Sequence, residues 1–426
     1  MGYEKKVVKN DRVGEQYTYV KHPSGLNIYI WELNGFSTTD AYFGTKYGSI
    51  NTRFKTNKDK DFVDVPEGIA HFLEHKLFEN EDCDVFELYA KTGANANAYT
   101  SFDQTVYLYN CTDKYLESLE ILLSFVQKPY FTQETVDKEQ GIIGQEIKMV
   151  QDSPDRQAYF NLLKCLFVNH PVKVDIAGTI ESIAKIDADL LYRCYHTFYN
   201  LNNMALCIAG NVNVDDILKV CDEQLKPCDD IELETAFPDE PLEIAQESYV
   251  EKMKVSMPIF YMGYKCEPKK GKELIKAQAT ASILNTLIMG TTSKLYKELT
   301  EEGLINSQFG TEVFFGDGYF TCICGGESKN PQLVKERIFE EIERLKREGL
   351  DREQFEIVKK SVYGGIIRGF NNSESCVSLM LNADFFGVDP FDDVETYANL
   401  TFEDVTKGLY EFFDSKKSAI SIVEPV

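Results

Sequence analysis

The two halves of the chain repeat one pattern of predicted elements, and this repetition limits the possible folds more than any single motif. In each half, short segments rich in Val, Tyr, Phe and Ile predict strands, longer segments with apolar residues at helical spacing predict helices, and a strand closes the half. Between the halves, residues 226–243 are acidic, contain three prolines and lack periodicity. We predict an α+β fold of two related domains, 1–225 and 244–426, joined by a linker at 226–243, each with a mostly antiparallel sheet packed with helices.

Composition excludes several classes of protein. At 426 residues the chain is too long for one ordinary core. Its 45 basic and 69 acidic residues give a net charge of −24, which argues against a nucleic-acid partner. Apolar runs never approach 18 residues and the first residues resemble no secretion signal, so we expect no membrane span and a cytoplasmic location. The 11 cysteines are scattered without a CxxC pair and are expected to be reduced.

One short motif carries specific chemistry. Residues 71–75 read HFLEH within a predicted helix at about 65–80. Histidines four positions apart share one helix face and can reach one tetrahedral cation, and Glu74 shares that face. HxxEH is the reversed form of the HExxH metallopeptidase motif. Because the chain has only 5 histidines, a chance match has a probability on the order of a percent or less, and the motif predicts a zinc site.

A catalytic zinc site needs a third protein ligand and an open position. The predicted helix 133–151 offers Glu139 and Glu146, which lie seven residues apart and therefore on one face. Two histidines with one glutamate form an established catalytic set, but spacing alone does not choose between these two residues. The remaining histidines, at positions 22, 170 and 196, have no motif partner and are expected to be structural.

The match extends beyond the zinc motif. HFLEH is followed after some 70 residues by EQGIIGQEI at 139–147, and Gly93 precedes NAYTS at 97–101. The chain resembles the pitrilysin/insulinase family of inverzincin zinc metallopeptidases, and more closely its half-length, mitochondrial-processing-peptidase-like bacterial members. The resemblance covers most of the chain and is strongest up to Val212. It implies a fold that forms half of the family's clamshell.

The resemblance also assigns roles to residues. It implies one Zn²⁺ per chain with His71, His75 and Glu146 as ligands. Glu74 would be the general base that activates water, and Glu139 a supporting catalytic carboxylate beside the site. The implied activity is hydrolysis of peptides or small flexible polypeptides in an enclosed chamber, without a covalent intermediate.

A substrate-binding strand is implied as well. In the family an edge strand binds the backbone of an extended peptide, which would place Asn97 and Ala98 against the substrate. Without the zinc motif, the same segment would be interpreted as an ordinary strand. The role of these two residues therefore depends on the resemblance.

The second half departs from the family pattern. Relatives present an Arg and, seven residues later, a Tyr that hold the substrate, but here Thr300 and Asn306 align with these positions and one residue between them is missing. The second half also lacks histidine, so it cannot duplicate the zinc site. We therefore expect a hetero- or homodimer, and favour the form in which this chain bears the zinc and an unequal partner supplies the Arg/Tyr pair.

Two other functions stay open. Some half-length relatives are structural, so the chain could be a non-catalytic scaffold. It could also be a peptide-binding or maturation subunit that captures a peptide without cleaving it. A fortuitous HxxEH in an unrelated α+β protein would require the absence of any metal.

Overall fold

The computed structural model describes residues 3–81 and 84–426. Its strands are β1 Lys5–Asn10, β2 Glu15–Lys21, β3 Asn27–Glu32, β4 Thr39–Thr45, β5 Arg53–Thr56, β6 Val63–Asp64, β7 Asn95–Thr100, β8 Thr105–Cys111, β9 Met204–Gly210, β10 Leu233–Thr235, β11 Ser248–Met253, β12 Ile259–Lys265, β13 Gly310–Gly316, β14 Tyr319–Glu327 and β15 Ser418–Pro425. Its helices are α1 Ile69–Leu77, α2 Val85–Thr92, α3 Tyr115–Val126, α4 Gln133–Gln151, α5 Pro154–Leu166, α6 Ile180–Ile183, α7 Ala188–Phe198, α8 Val214–Gln224, α9 Gly271–Met289, α10 Lys294–Glu301, α11 Pro331–Glu348, α12 Arg352–Gly369, α13 Ser373–Phe386, α14 Asp392–Asn399 and α15 Phe402–Phe412.

The predicted elements around the motif agree with these bounds in part. The helix predicted at 133–151 is α4, with the same bounds, whereas α1 is shorter than the helix predicted at 65–80. From its Thr, Tyr, Val and Phe content the segment 97–110 is predicted to be a single strand, which is wrong. It is a hairpin of β7 and β8, because the Ser101 N–H donates to the Gln104 carbonyl and turns the chain.

The first compact unit contains residues 3–81, 84–147, 175–236 and 367–391 of the described chain. Its main sheet has the order β1-β2-β3-β9-β4-β8-β7, in which β3 and β9 are parallel and the other neighbours antiparallel. A continuous apolar core joins this sheet to its helices, and α13 packs on β4 and β9. This unit also contains a small sheet with the order β10-β5-β6. Its strand β10 lies within the predicted linker and pairs with β5.

The second compact unit contains residues 148–174, 237–366 and 392–426. Its sheet has the order β11-β15-β12-β14-β13, with β11 and β15 parallel and the other neighbours antiparallel. Helix α5 packs on β12 and β15, while α14 and α15 pack on α9. Strand β14 lies between β12 and β13 and is buried over almost its whole length.

The two sheets repeat one topology. The strands β3-β9-β4-β8-β7 of the first unit and β11-β15-β12-β14-β13 of the second have the same order and directions. Each unit also contains one helix from the other half of the chain, α13 in the first and α5 in the second. The predicted α+β class with two related units is confirmed. The predicted domain boundaries, 1–225 and 244–426 with a linker at 226–243, stay a prediction.

Hydropathy adds one structural finding. Among the described residues, none of the helices combines the length and the apolar character that a bilayer crossing requires.

Candidate metal centre

Helix α1 begins at a position that only glycine can occupy without strain. Gly68 precedes the helix with φ of 86°, and a Cβ there would lie 2.4 Å from the Ala177 carbonyl oxygen. After this start, the buried apolar side chains Phe72, Leu73 and Leu77 anchor the helix in the core. The anchored helix fixes the direction of the motif side chains.

The motif histidines lie side by side on α1, as their spacing predicts. The ring centroids of His71 and His75 are 4.6 Å apart, and both side chains are mostly buried. Facing them, α4 buries Val136 and Ile143, and this anchoring carries Glu146 to the two rings.

The arrangement of His71, His75 and Glu146 fits a metal ion. His71 Nε2 lies 3.6 Å from Glu146 Oε1, and His75 Nε2 lies 3.6 Å from Glu146 Oε2. One ligand atom from each of the three residues lies within 4.8 Å of the other two. Ligands about 2.0–2.1 Å from a tetrahedral zinc are separated by roughly 3.3 Å, so these distances leave room for the ion with small side-chain adjustments.

Glu139 orients His75 from the side opposite to Glu146. Its Oε1 lies 3.0 Å from His75 Nδ1, so Nε2 is left for a metal. Burial opposes protonation of His75, but the Glu139 hydrogen bond and the neighbouring carboxylates outweigh it and raise the pKa of His75. Burial likewise disfavours the charged form of Glu139, but the bond to His75 and its charge hold the pKa of this carboxyl below the usual value. A carboxylate on the second nitrogen of a ligating histidine is common in zinc sites.

Glu74 is a buried carboxylate beside the histidines. Its relative exposure is 9%, and the Thr100 hydroxyl donates to Glu74 Oε2 at 2.6 Å. Burial raises the pKa of Glu74, although the Thr100 hydrogen bond and the charge of His75 act in the opposite direction. The motif indicates Glu74 from sequence, but the supporting Thr100 is brought close only by the fold.

The proposed substrate-binding residues lie on an edge strand. β7 ends the main sheet of the first unit, and its residues alternate between exposed and half-buried positions. The Asn97 side-chain oxygen accepts the Ala98 backbone N–H at 2.9 Å. Thr100, whose hydroxyl donates to Glu74, lies on the same strand, so the end of this edge strand is close to Glu74.

The other histidines lie apart from this group. His22 contacts Ser24 and Asp222, and His170 Nε2 contacts the Asp317 carbonyl oxygen. Within the described residues, His71, His75 and Glu146 are the one set of three potential ligands close enough to share an ion. Spacing alone left Glu139 and Glu146 equivalent, whereas the structure brings Glu146 to both histidines.

Comparisons with known proteins identify the family of the chain. Residues 64–180 match the family model described as Insulinase (Peptidase family M16), and residues 185–362 match the model described as Peptidase M16 inactive domain. The "Uncharacterized zinc protease YmfH" of Bacillus subtilis is 37% identical over 99% of both chains. The chain therefore belongs to the M16 (pitrilysin/insulinase) family of zinc proteases, as a half-length member.

Three further similarities concern one relative and two solved structures. The "Mitochondrial-processing peptidase subunit beta" of Caenorhabditis elegans is 32% identical over 47% of this chain and 43% of its own length. A solved M16-like peptidase from Alicyclobacillus acidocaldarius superposes with a TM-score of 0.92 and 32% identity, covering 100% of this chain and 99% of the other. Pitrilysin shares the fold with a TM-score of 0.76 and 13% identity, and this chain spans 46% of it.

Proposed function

We propose that the chain is a zinc-dependent endopeptidase and the catalytic subunit of a dimer. The observation that carries this proposal is the buried carboxylate of Glu74 next to three side chains spaced for one metal ion. His71, His75 and Glu146 would hold one Zn²⁺, because a His/Glu set and the affinity order of divalent ions favour zinc. When bound, zinc supplies Lewis-acid polarisation of a carbonyl and makes water more acidic.

Glu74 would move the proton during hydrolysis. Its carboxylate takes a proton from the attacking water and gives it to the leaving amine nitrogen. The raised pKa of Glu74 suits a group that must both accept and donate this proton. The Thr100 hydroxyl keeps Oε2 in place, so that the other carboxylate oxygen can face the water.

The edge of β7 would hold the peptide. A substrate strand added there would accept the Ala98 N–H with its own carbonyl and replace the Asn97 side chain. Backbone hydrogen bonds of this kind bind many sequences, so preference must come from pockets for side chains.

Two residues of the second unit support the proposal of a dimer. Thr300 lies on α10, and the Asn306 side chain donates to Glu327, so neither supplies a cation or a phenol. A partner would supply the Arg/Tyr pair and close the chamber, and one relative is itself named a subunit. A cytoplasmic location stays a prediction.

One alternative keeps specific support. The model matched by residues 185–362 is described as an inactive domain, which favours a scaffold or a peptide-capturing subunit if cleavage is absent. Retention of all the motif residues in the first unit favours the enzyme.

Replacing Glu74 by Gln tests the proposal. Cleavage of a quenched peptide library, with and without any co-purifying partner, should fall by about 10²–10⁴-fold, because a positioned proton-transfer group contributes that much. Bound zinc and the unfolding transition should stay unchanged, and the exposed control Glu117→Gln on α3 should keep full activity. Equal cleavage by wild type and Glu74→Gln would contradict the mechanism, and zinc without cleavage by wild type in either format would favour the scaffold.

A further inference from the structure

The sheet of the second unit ends in a strand whose counterpart in the first unit is covered. In the shared strand order, β11 corresponds to β3, which has β9 on one side and β2 on the other. The strand β11 pairs with β15 on one side and forms the edge of its sheet on the other. The second unit therefore has an open edge at the place where the first unit adds β2 and β1.

The register shows which backbone groups of β11 lie at this edge. The Glu247 carbonyl accepts the Ile420 N–H at 3.1 Å, so the N–H and C=O of residue 247 point towards β15. This direction alternates along a strand, so the outward groups of β11 belong to Ser248, Val250 and Lys252. They form no backbone hydrogen bond with any residue that the structure describes.

The side chains of β11 leave its edge accessible. Tyr249 is 42% exposed and Val250 is 50% exposed, although both are large apolar side chains. On the face that packs on α5, Asn161 donates to Glu251 at 2.7 Å and holds the strand in place. The strand is thus fixed to its unit on one face and open to a partner at its edge.

The edge strand of the first unit differs in its charges. Strand β1 ends that sheet and carries Lys5, Lys6 and Lys9 among six residues. Lysines on an edge strand are a common means of preventing it from pairing with another edge. Strand β11 has a single lysine, Lys252, next to Glu251, and it contains no proline. Its sequence therefore does not oppose pairing in the way that the sequence of β1 does.

Strand β11 is complementary to itself in one antiparallel register. Hydrogen-bonded pairs must use the outward residues, so a twofold axis at Val250 places this residue opposite Val250 of a second copy. Ser248 then lies opposite Lys252, and Tyr249 lies opposite Glu251, so like charges do not face each other. An axis at Lys252 would place two lysines opposite each other, and an axis at Ser248 would shorten the paired segment.

We infer that the edge of β11 is an interface between two copies of this chain, which join the sheets of their second units into one antiparallel sheet. The inference goes beyond the proposed function and depends on neither zinc nor the partner that supplies the Arg/Tyr pair. The register provides about six backbone hydrogen bonds between the copies. One strand edge buries less than the roughly 1,200–2,000 Å² of a standard interface, so the Kd is on the order of 10 µM.

Sedimentation velocity of the full chain, purified without other proteins, tests the interface between about 1 and 200 µM. Val250→Pro removes an N–H that points away from β15, and proline is tolerated at such an edge position, so the unit stays folded while central hydrogen bonds between the copies are lost. Val7→Lys on β1, where the valine is 59% exposed, is the matched control for Val250→Lys. The unfolding transition of each variant checks its fold.

Wild type and Val7→Lys should dimerise with the same Kd. Val250→Pro and Val250→Lys should each raise the Kd at least about 10-fold, because the first loses hydrogen bonds and the second places two lysines opposite each other. A wild-type chain that stays monomeric, or a dimer unchanged in Val250→Pro, overturns the inference. It is also overturned if the amides of β11 become protected from hydrogen exchange only with a different, co-purifying protein.

Charge reversal at Val250 tests the register. Val250→Glu alone should weaken the dimer about 10-fold, as Val250→Lys does. An equal mixture of the two variants should associate about 5-fold more tightly than either alone, because opposite charges then face each other across the axis. A mixture no tighter than the separate variants overturns the pairing through Val250. These measurements do not involve cleavage, so their outcome is independent of whether the proposed protease activity is found.

Discussion

The two units share a strand order but differ in the first α-helix after β4 in the first unit and after its counterpart β12 in the second. In the first unit this helix is α1 with the HFLEH motif, whereas in the second it is α9. The buried side chains of α9 include no histidine or carboxylate. The fold therefore does not need the metal ligands, which points to a chemical role for them in the first unit.

The helices α4 and α12 show a second difference between the two units. Each crosses from one unit to the other, α4 after Ile147 and α12 after Ile366. When Ile147 is aligned with Ile366, Glu139 corresponds to Val358 and Glu146 to Gly365. The second unit thus has an apolar residue and a glycine where the first has the two carboxylates of its candidate site.

The largest expected effect is on metal binding when the first unit loses Glu146. Glu146→Gln should lower zinc affinity by more than about 100-fold, because even outer-shell partners of a zinc site contribute 10–100-fold. Titration with a competing chelator measures this. Glu134→Gln, near the start of α4, is the control and should bind like wild type. Unchanged affinity in Glu146→Gln would place the third ligand elsewhere.

The second effect concerns the start of α1. Gly68→Ala should lower the free energy of unfolding by about 3 kcal/mol or more, because the new methyl group meets the Ala177 carbonyl oxygen in addition to the strain of positive φ. Gly35 has the same φ of 86° with nothing within 4 Å of a Cβ, so Gly35→Ala should cost only about 1 kcal/mol. Denaturant titration compares them, and equal losses would show that the contact with Ala177 is unimportant.

The smallest effect concerns a partly buried carboxylate of the second unit, whose Oδ1 atom is buried. Burial, with the nearby Asp392, raises the pKa of Asp393 to about 6, and its Oδ1 has no hydrogen-bond partner in the described chain. Because the folded pKa exceeds the unfolded value near 4, stability is lost as pH rises through about 6. Asp393→Asn should therefore raise the unfolding free energy by about 2 kcal/mol at pH 7.

The pH dependence provides the control for Asp393. Below about pH 4 the carboxyl is protonated in both the folded and unfolded states, so the gain from Asn should vanish. Urea titrations at pH 4 and pH 7 measure both values. The same gain at both pH values would mean that charge burial is not its cause.

Local patterns in the sequence predict the centre of the site. The four-residue spacing of His71 and His75 and the apolar periodicity of α4 depend on helix geometry alone, so both appear in the structure as expected. The choice between Glu139 and Glu146 depends on how α4 meets α1, which spacing does not encode. The sequence pattern does not reveal the hairpin of β7 and β8, because its Ser101–Gln104 turn lacks glycine and proline.

Nonlocal packing explains the remaining differences. The exchange of α5 and α13 between the units depends on contacts between segments more than 100 residues apart, which no local pattern shows. Thr100 likewise meets Glu74 across 26 residues, through the position of β7 beside α1. The NAYTS segment indicates a family match, but only the fold explains what its threonine contacts.

The most direct test of the central claim is anomalous diffraction at the zinc absorption edge from crystals of the purified chain. We predict one anomalous peak per chain, about 2.0–2.2 Å from His71 Nε2, His75 Nε2 and a Glu146 oxygen, with none in the second unit. A peak bound by other residues, or none in zinc-supplemented crystals, would contradict the assignment of the metal centre to the first unit.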